Sequence, residues 1–132
     1  MAIAFYQPRR IKVVAEDARR SFDERGWFVA VSNTPTFGGG LKIAPQAAID
    51  DGFLDVTYCH PVPRRTLVRH FPKILSGTHV GLDALSIFRS QSLTIQTTEP
   101  MPVYADGDRL GNTPVTLTIT PKSLRVVTAQ LL

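Results

Sequence analysis

Val115-Thr116-Leu117-Thr118-Ile119-Thr120 puts an apolar side chain at every second position and a threonine at each position between. A period of two belongs to a strand with one buried face, because successive side chains leave a strand on opposite sides. Leu93 and Ile95 alternate with Thr94 and Gln96 in the same way. Pro121-Lys122-Ser123 reads as a turn, and Leu124 to Thr128 is expected to pair back as a hairpin. From Leu85 onward the pattern is β.

The same reading extends toward the N-terminus. Trp27-Phe28-Val29-Ala30-Val31-Ser32 is a dense run of β-formers and reads as a central strand buried on both faces. Phe53 to Cys59 is a second strand, entered through the turn signal Asp50-Asp51-Gly52. Arg10 to Ala15 is a third, and the first ten residues carry no committed pattern. Glu16 to Arg25 is charged and irregular and reads as a turn. Asn33 to Gly40 is a loop, and Leu41 to Ile49 is short, apolar and interrupted by Pro45.

One helix stands out, over Pro63 to Leu75. Leu67, Val68, Phe71, Ile74 and Leu75 recur at helical spacing, with Arg64, Arg65, Arg69 and Lys73 forming a basic face. Pro72 is expected to kink it or split it in two. Many short strands with one or two short helices predict a mainly β fold, a β-sandwich-like domain with long Greek-key-type connections.

Composition sets the bounds. A chain of 132 residues is one domain and can bury a core. At 43% hydrophobic and 20% charged residues it is neither disordered nor fibrous. No apolar run approaches the ~20 residues that cross a bilayer, and no signal peptide is visible. Gly 9 and Pro 10 make it rich in turns. The net charge of +4 and pI near 9.6 describe a mildly basic surface, which reads first as an ordinary solvated surface and otherwise as one that could meet anionic lipid headgroups or a nucleotide phosphate. Nucleic acid is not expected as a partner, because the arginine doublets at 9–10, 19–20 and 64–65 are scattered and no aromatic RNA-binding motif occurs. Cys59 stands alone, so no internal disulfide forms, and it reads as a thiol buried in a strand.

Two acidic clusters could carry chemistry. Asp50-Asp51-Gly52-Phe53-Leu54-Asp55 brings carboxylates and turn carbonyls together, a donor set that hard cations favour; an ordinary Asp-Gly turn is the plain alternative. Tyr104-Ala105-Asp106-Gly107-Asp108 offers two carboxylates on an exposed turn, as a base, a metal ligand or simply a β-turn. Thr36-Phe37-Gly38-Gly39-Gly40 permits close backbone approach but lacks the lysine of a phosphate-binding loop. His60, His70 and His79 lack metal-ligand spacing, and nothing marks a serine-histidine-aspartate triad.

Taken in order, these segments resemble one family. Asn33 to Gly40, Ala44-Pro45, Ala48-Ile49-Asp50-Asp51-Gly52-Phe53-Leu54-Asp55, Pro63-Arg64-Arg65-Thr66-Leu67 and Ala105-Asp106-Gly107-Asp108 are similar to the C-terminal domain of bacterial diacylglycerol kinases, a group that includes the sphingosine-kinase-like lipid kinases. The likeness runs from about Arg10 to Thr128. NAD kinases share the two-domain plan, but the Asp-Asp-Gly-Phe-Leu-Asp and Ala-Asp-Gly-Asp elements fit the lipid kinases better.

The resemblance implies that residues 1–132 form a single C-terminal β domain of a kinase that moves the γ-phosphate of ATP to diacylglycerol or a similar lipid alcohol. The Gly-Gly-Asp-Gly-Thr motif of the N-terminal nucleotide-binding α/β domain does not occur in this chain, so the isolated chain is expected to be inactive. Asp108 falls where these kinases usually carry a glutamate, the base toward the lipid hydroxyl. Asp51, with the backbone carbonyls of Ala48 and Phe53, matches a structural Mg²⁺ site. Asp106, Gly38 and Gly39 would border the substrate cleft. The implied setting is cytoplasmic, at the inner face of a membrane, with the lipid and the N-terminal domain as partners. A non-catalytic lipid- or protein-binding module, or a dimerisation domain acting through exposed strand edges, is the alternative.

Overall fold

The structure, a computed structural model, describes residues 2–16, 20–36 and 40–125, with residues 2–6 described by their backbone course alone. Among the described residues, eight strands and one helix run in the order β1 (Ala2–Ala15), β2 (Ser21–Ser32), β3 (Leu54–Cys59), α1 (Arg64–Ser76), β4 (Leu85–Ser90), β5 (Ser92–Thr97), β6 (Pro102–Ala105), β7 (Asp108–Asn112) and β8 (Val115–Thr118). The strands pair antiparallel in the order β4-β3-β2-β1-β5-β8, and β6 joins β1 and carries β7.

The long strand β1 makes the sandwich-like wrap. Its register on β2 shifts between Ala4 and Arg9. Beyond the shift, Ile11 to Ala15 pairs with β5, whereas at the other end Ala2 pairs with Tyr104 of β6. A bulge of this kind bends a strand and re-aims the residues beyond it.

Period-two residues from each strand meet in one core. Ile11 and Val13 of β1, Val29 and Val31 of β2, Val56 and Tyr58 of β3, Leu93 and Ile95 of β5 and Val103 of β6 are all buried there. β3 is buried at every position. Its other face is covered by the 41–49 segment, where Ile43, Ala44 and Ala47 pack with Ala30 and Phe28 of β2. Thr57 Oγ donates to the Ile43 carbonyl at 3.3 Å and fixes that cover.

Several expectations change. The segment read as a turn up to Arg25 is strand from Ser21, because Asp23 bonds to Arg10 across the β1–β2 pair at 2.8 Å, a cross-strand tie that hydrophobic patterning does not report. Strand also begins at Ala2, within the stretch that carries no committed pattern. The helix is not split at Pro72: it continues to Ser76, where Gly77 at φ 75° ends it and Thr78 N–H donates to the Lys73 carbonyl. Leu124 and Arg125 are not in a strand; the rest of the expected hairpin lies outside the described residues.

Candidate functional site

Register places the two acidic clusters on one rim. Thr57, Ala30, Ala2, Tyr104 and Arg109 lie side by side across β3, β2, β1, β6 and β7. Because neighbours run antiparallel, Asp55 on β3, Ser32 on β2 and the Asp106–Asp108 turn all lie on the same side of that row. The clusters are nonetheless separate. Four strand spacings of about 4.8 Å put β3 and β7 roughly 19 Å apart along the sheet.

At the β3 end, Asp51 Oδ1 accepts a 2.9 Å hydrogen bond from the Phe53 N–H, which closes the Asp-Gly turn around Gly52 at φ 76°. The other oxygen, Oδ2, is buried without a hydrogen bond, and Arg89 Nη1 lies 3.6 Å from it. Arg89 stands opposite Asp55 in the β3–β4 pairing. Its Nε reaches Asp55 Oδ1 at 3.3 Å, and its Nη2 donates to the Gln46 carbonyl at 2.9 Å. Asp55 is fully buried, and desolvation raises its pKa above the ordinary value even though Arg89 opposes the shift. Arg89 therefore joins the turn, the strand and the 41–49 cover.

Among the described residues no three acidic, histidine or cysteine side chains gather as a metal cluster. A cation at this turn would rest on one carboxylate with carbonyl and water oxygens. That suits Mg²⁺, which keeps several waters when it binds protein.

At the β7 end, Ala105 pairs with Asp108 across a two-residue turn. Asp106 at φ 49° and Gly107 at φ 90° both have positive φ, the hairpin turn that Asp-Gly favours. Asp106 and Asp108 are exposed, and among the described residues neither side chain has a hydrogen-bond or ion-pair partner. Gly38 and Gly39 lie outside the described residues.

Two arrangements had no sequence signal. His60 connects Glu24 Oε1, 2.6 Å from Nδ1, with Ser86 Oγ, 2.7 Å from Nε2. The order is that of a hydrolytic triad, but Ser86 sits in the ladder opposite Tyr58 and neither main cavity borders it. It acts as a clasp that ties β2 and β4 to the chain leaving β3. The second is an open cavity of about 380 Å³ edged by Arg9, Arg10, Arg25 and Glu99. Its guanidiniums are engaged: Arg10 with Asp23, Arg25 with the Pro8 carbonyl and Arg9 with Glu99.

Residues 1–128 match the family model described as the YegS C-terminal NAD kinase beta sandwich-like domain. The chain belongs to that family. It is the C-terminal domain family of YegS-like, diacylglycerol-kinase-like lipid kinases. A Bacillus subtilis protein provisionally named lipid kinase YtlR is 32% identical over 127 residues, which cover 96% of this chain and 41% of that protein. A Mycobacterium tuberculosis diacylglycerol kinase is 39% identical over 95 residues, 72% of this chain and 30% of that protein. The chain thus spans well under half the length of these relatives. A Bacillus anthracis crystal structure, provisionally called a diacylglycerol kinase, superposes with a TM-score of 0.75 at 18% identity, over 90% of this chain and 40% of that one. That likeness concerns the fold. Among the described residues no helix of this YegS-type domain is long and apolar enough to cross a membrane.

Proposed function

We propose that this YegS-type domain forms the second half of an ATP-dependent lipid kinase acting on diacylglycerol or a similar lipid alcohol, with Asp108 as the base. The observation that carries the reading is the carboxylate of Asp108, exposed beside a tight turn in a chain of this family and committed to no side chain among the described residues. Phosphoryl transfer depends on positioning, charge neutralisation and a group that orients the attacking hydroxyl. The Asp108 carboxylate accepts the lipid hydroxyl proton while that oxygen bonds to the γ-phosphorus and the bond to the β–γ bridging oxygen breaks, releasing ADP. The nucleotide is held mainly by the other domain.

Mg²⁺ fits the turn before β3. Asp51 Oδ2 is a buried oxygen without a hydrogen bond, and Oδ1 is already used to shape the loop. Asp51, with the carbonyl oxygens of Ala48 and Phe53, would hold the ion. When bound it supplies a fixed positive charge that ties the 48–53 loop.

The test is radiolabelled phosphate transfer from ATP to detergent-solubilised diacylglycerol by the two-domain enzyme. Asp108→Asn is expected to lower turnover by roughly 100-fold or more with thermal unfolding unchanged. Turnover near wild type would overturn the assignment.

A further inference from the structure

We propose that α1 is a docking surface for an anionic membrane, in which an exposed apolar stripe enters the lipid interface and an adjoining basic stripe meets lipid phosphates. The inference goes beyond the phosphoryl-transfer reading and does not need it.

The helix is pinned at both ends and exposed along its outer side. Before it, Trp27 Nε1 donates to the Val62 carbonyl at 2.7 Å, and the Arg64 guanidinium lies over the Trp27 ring, 5.8 Å from its centre. After it, an added Cβ on Gly77 would touch Lys42 and Pro45, and buried His79 Nε2 lies 2.9 Å from the Ile43 carbonyl. Between these ties α1 has no buried residue. Leu67, His70 and Ile74 are half-buried and mark the inward side.

Val68, Phe71 and Leu75 are 74%, 51% and 45% exposed and repeat at i, i+3 and i+7, one line along the helix. Three large apolar side chains aligned in water call for a cover. Arg65, Arg69 and Lys73, all exposed, repeat at i, i+4 and i+8. At roughly 100° per residue, that basic line runs about a third of a turn from the apolar one. The 13-residue helix contains no acid.

Charge complementarity decides the occupant. An apolar line beside a purely basic line is the pattern of helices that lie in the plane of an anionic interface, the rings and branched chains among the acyl tails and the cations at the headgroups. Ties at both ends hold the helix flat on the domain, so the whole stripe meets one plane at once.

The test is sedimentation with phosphatidylcholine vesicles, with or without 30% phosphatidylglycerol, in the absence of ATP. It is run on the 132-residue chain and on a two-domain kinase containing it. Both proteins are expected to bind only the anionic vesicles, and roughly tenfold less in 0.5 M salt. Val68→Ser with Phe71→Ser, and separately Arg65→Glu with Arg69→Glu, are each expected to weaken binding roughly tenfold or more. A probe attached at Val68→Cys is expected to shift to a nonpolar emission on vesicle addition, a readout that needs no destabilising change. Equal binding to both vesicle types, variants that bind as wild type, or an unshifted probe would overturn the proposal. So would binding by the single chain but not by the two-domain kinase, which would mean that the other domain covers α1. A dimer in sedimentation that Phe71→Ser dissolves would assign the face to a second copy. Turnover of detergent-solubilised lipid is read separately, so its loss leaves this inference standing.

Discussion

Arg89 Nε lies 3.3 Å from Asp55 Oδ1, directly across the β3–β4 pairing, and the carboxylate it meets has no exposed surface. Desolvation and the guanidinium pull Asp55 in opposite directions, and desolvation wins. An anion in that position depends on its one cationic neighbour.

Removing that neighbour is therefore costly. Arg89→Met is expected to destabilise the fold by about 1–3 kcal/mol, below the range for a wholly buried pair because Arg89 is half exposed. Asp55→Asn removes the charge that needs compensation, so the Arg89→Met loss should shrink in that background. Urea unfolding of the four proteins gives the coupling energy. The same Arg89→Met loss in both backgrounds would show that the two side chains do not act together.

Gly26 is held by space rather than by backbone angle. A Cβ there would sit 2.7 Å from Tyr58 Oη, 2.8 Å from Cζ and 2.9 Å from the Cys59 carbonyl oxygen. Tyr58 cannot swing away, because its ring stacks on Phe22 at 4.9 Å and its hydroxyl donates to the Glu24 carbonyl. Gly26→Ala should cost about 1–3 kcal/mol. Tyr58→Phe removes one of the three conflicts and should not rescue it. Recovery in the double variant would locate the strain in the hydroxyl alone.

How each strand is buried decides which parts of this fold are legible. Trp27–Ser32 and β3 are lined on both faces, so their β-formers crowd into readable runs. β7 is exposed at all five positions, and Asp108-Arg109-Leu110-Gly111-Asn112 shows no alternation to detect. Its strand character comes from pairing with β6, a long-range fact absent from local pattern. The site divides similarly. Asp51 and Asp108 stand out because Asp-Gly turns advertise themselves. Arg89 is 34 residues from Asp55 and looks like any exposed arginine until the register sets them opposite. The exposure of α1 also needed the structure, since helical apolar spacing reads equally as a buried face.

Cys59 gives an alkaline signature. Burial pushes its thiol from 9.0 up to about 12. Between those values the unfolded chain loses the proton and the folded chain keeps it, so stability falls as pH rises, by up to about 1.4 kcal/mol per pH unit. Below pH 9 this contribution is fully present. Cys59→Ala should be less stable at pH 8 yet flatter from pH 9 to 10, read as urea midpoints. The native thiol should also resist a disulfide reagent at pH 8 until urea opens the fold. Rapid labelling of the native chain would contradict its burial.

Asp51 separates loop shape from cation binding. Asp51→Asn keeps the oxygen that receives the Phe53 N–H and removes the negative charge. In chelator it should lose about 1–2 kcal/mol, because the new amide NH2 faces the Arg89 guanidinium where the carboxylate oxygen lay 3.6 Å away. Wild type should gain melting temperature with millimolar Mg²⁺, and Asp51→Asn should not. An equal gain in both proteins would move the ion elsewhere.

Asp106 and Asp108 are two residues apart at one turn, so the proposed base must be told from its neighbour. Asp106 holds a positive φ that asparagine also tolerates, and Asp106→Asn changes charge while keeping the turn. In the two-domain enzyme it should retain turnover within about tenfold of wild type, whereas Asp108→Asn should lose roughly 100-fold. Asp108→Glu keeps the acid and extends it by one methylene, and should keep turnover far above Asp108→Asn. Because both positions are exposed, melting temperatures should hardly move, and the comparison reads chemistry rather than folding. If Asp106→Asn were the inactive variant, the proton would pass to the other carboxylate, and the turn would present its base one strand end earlier.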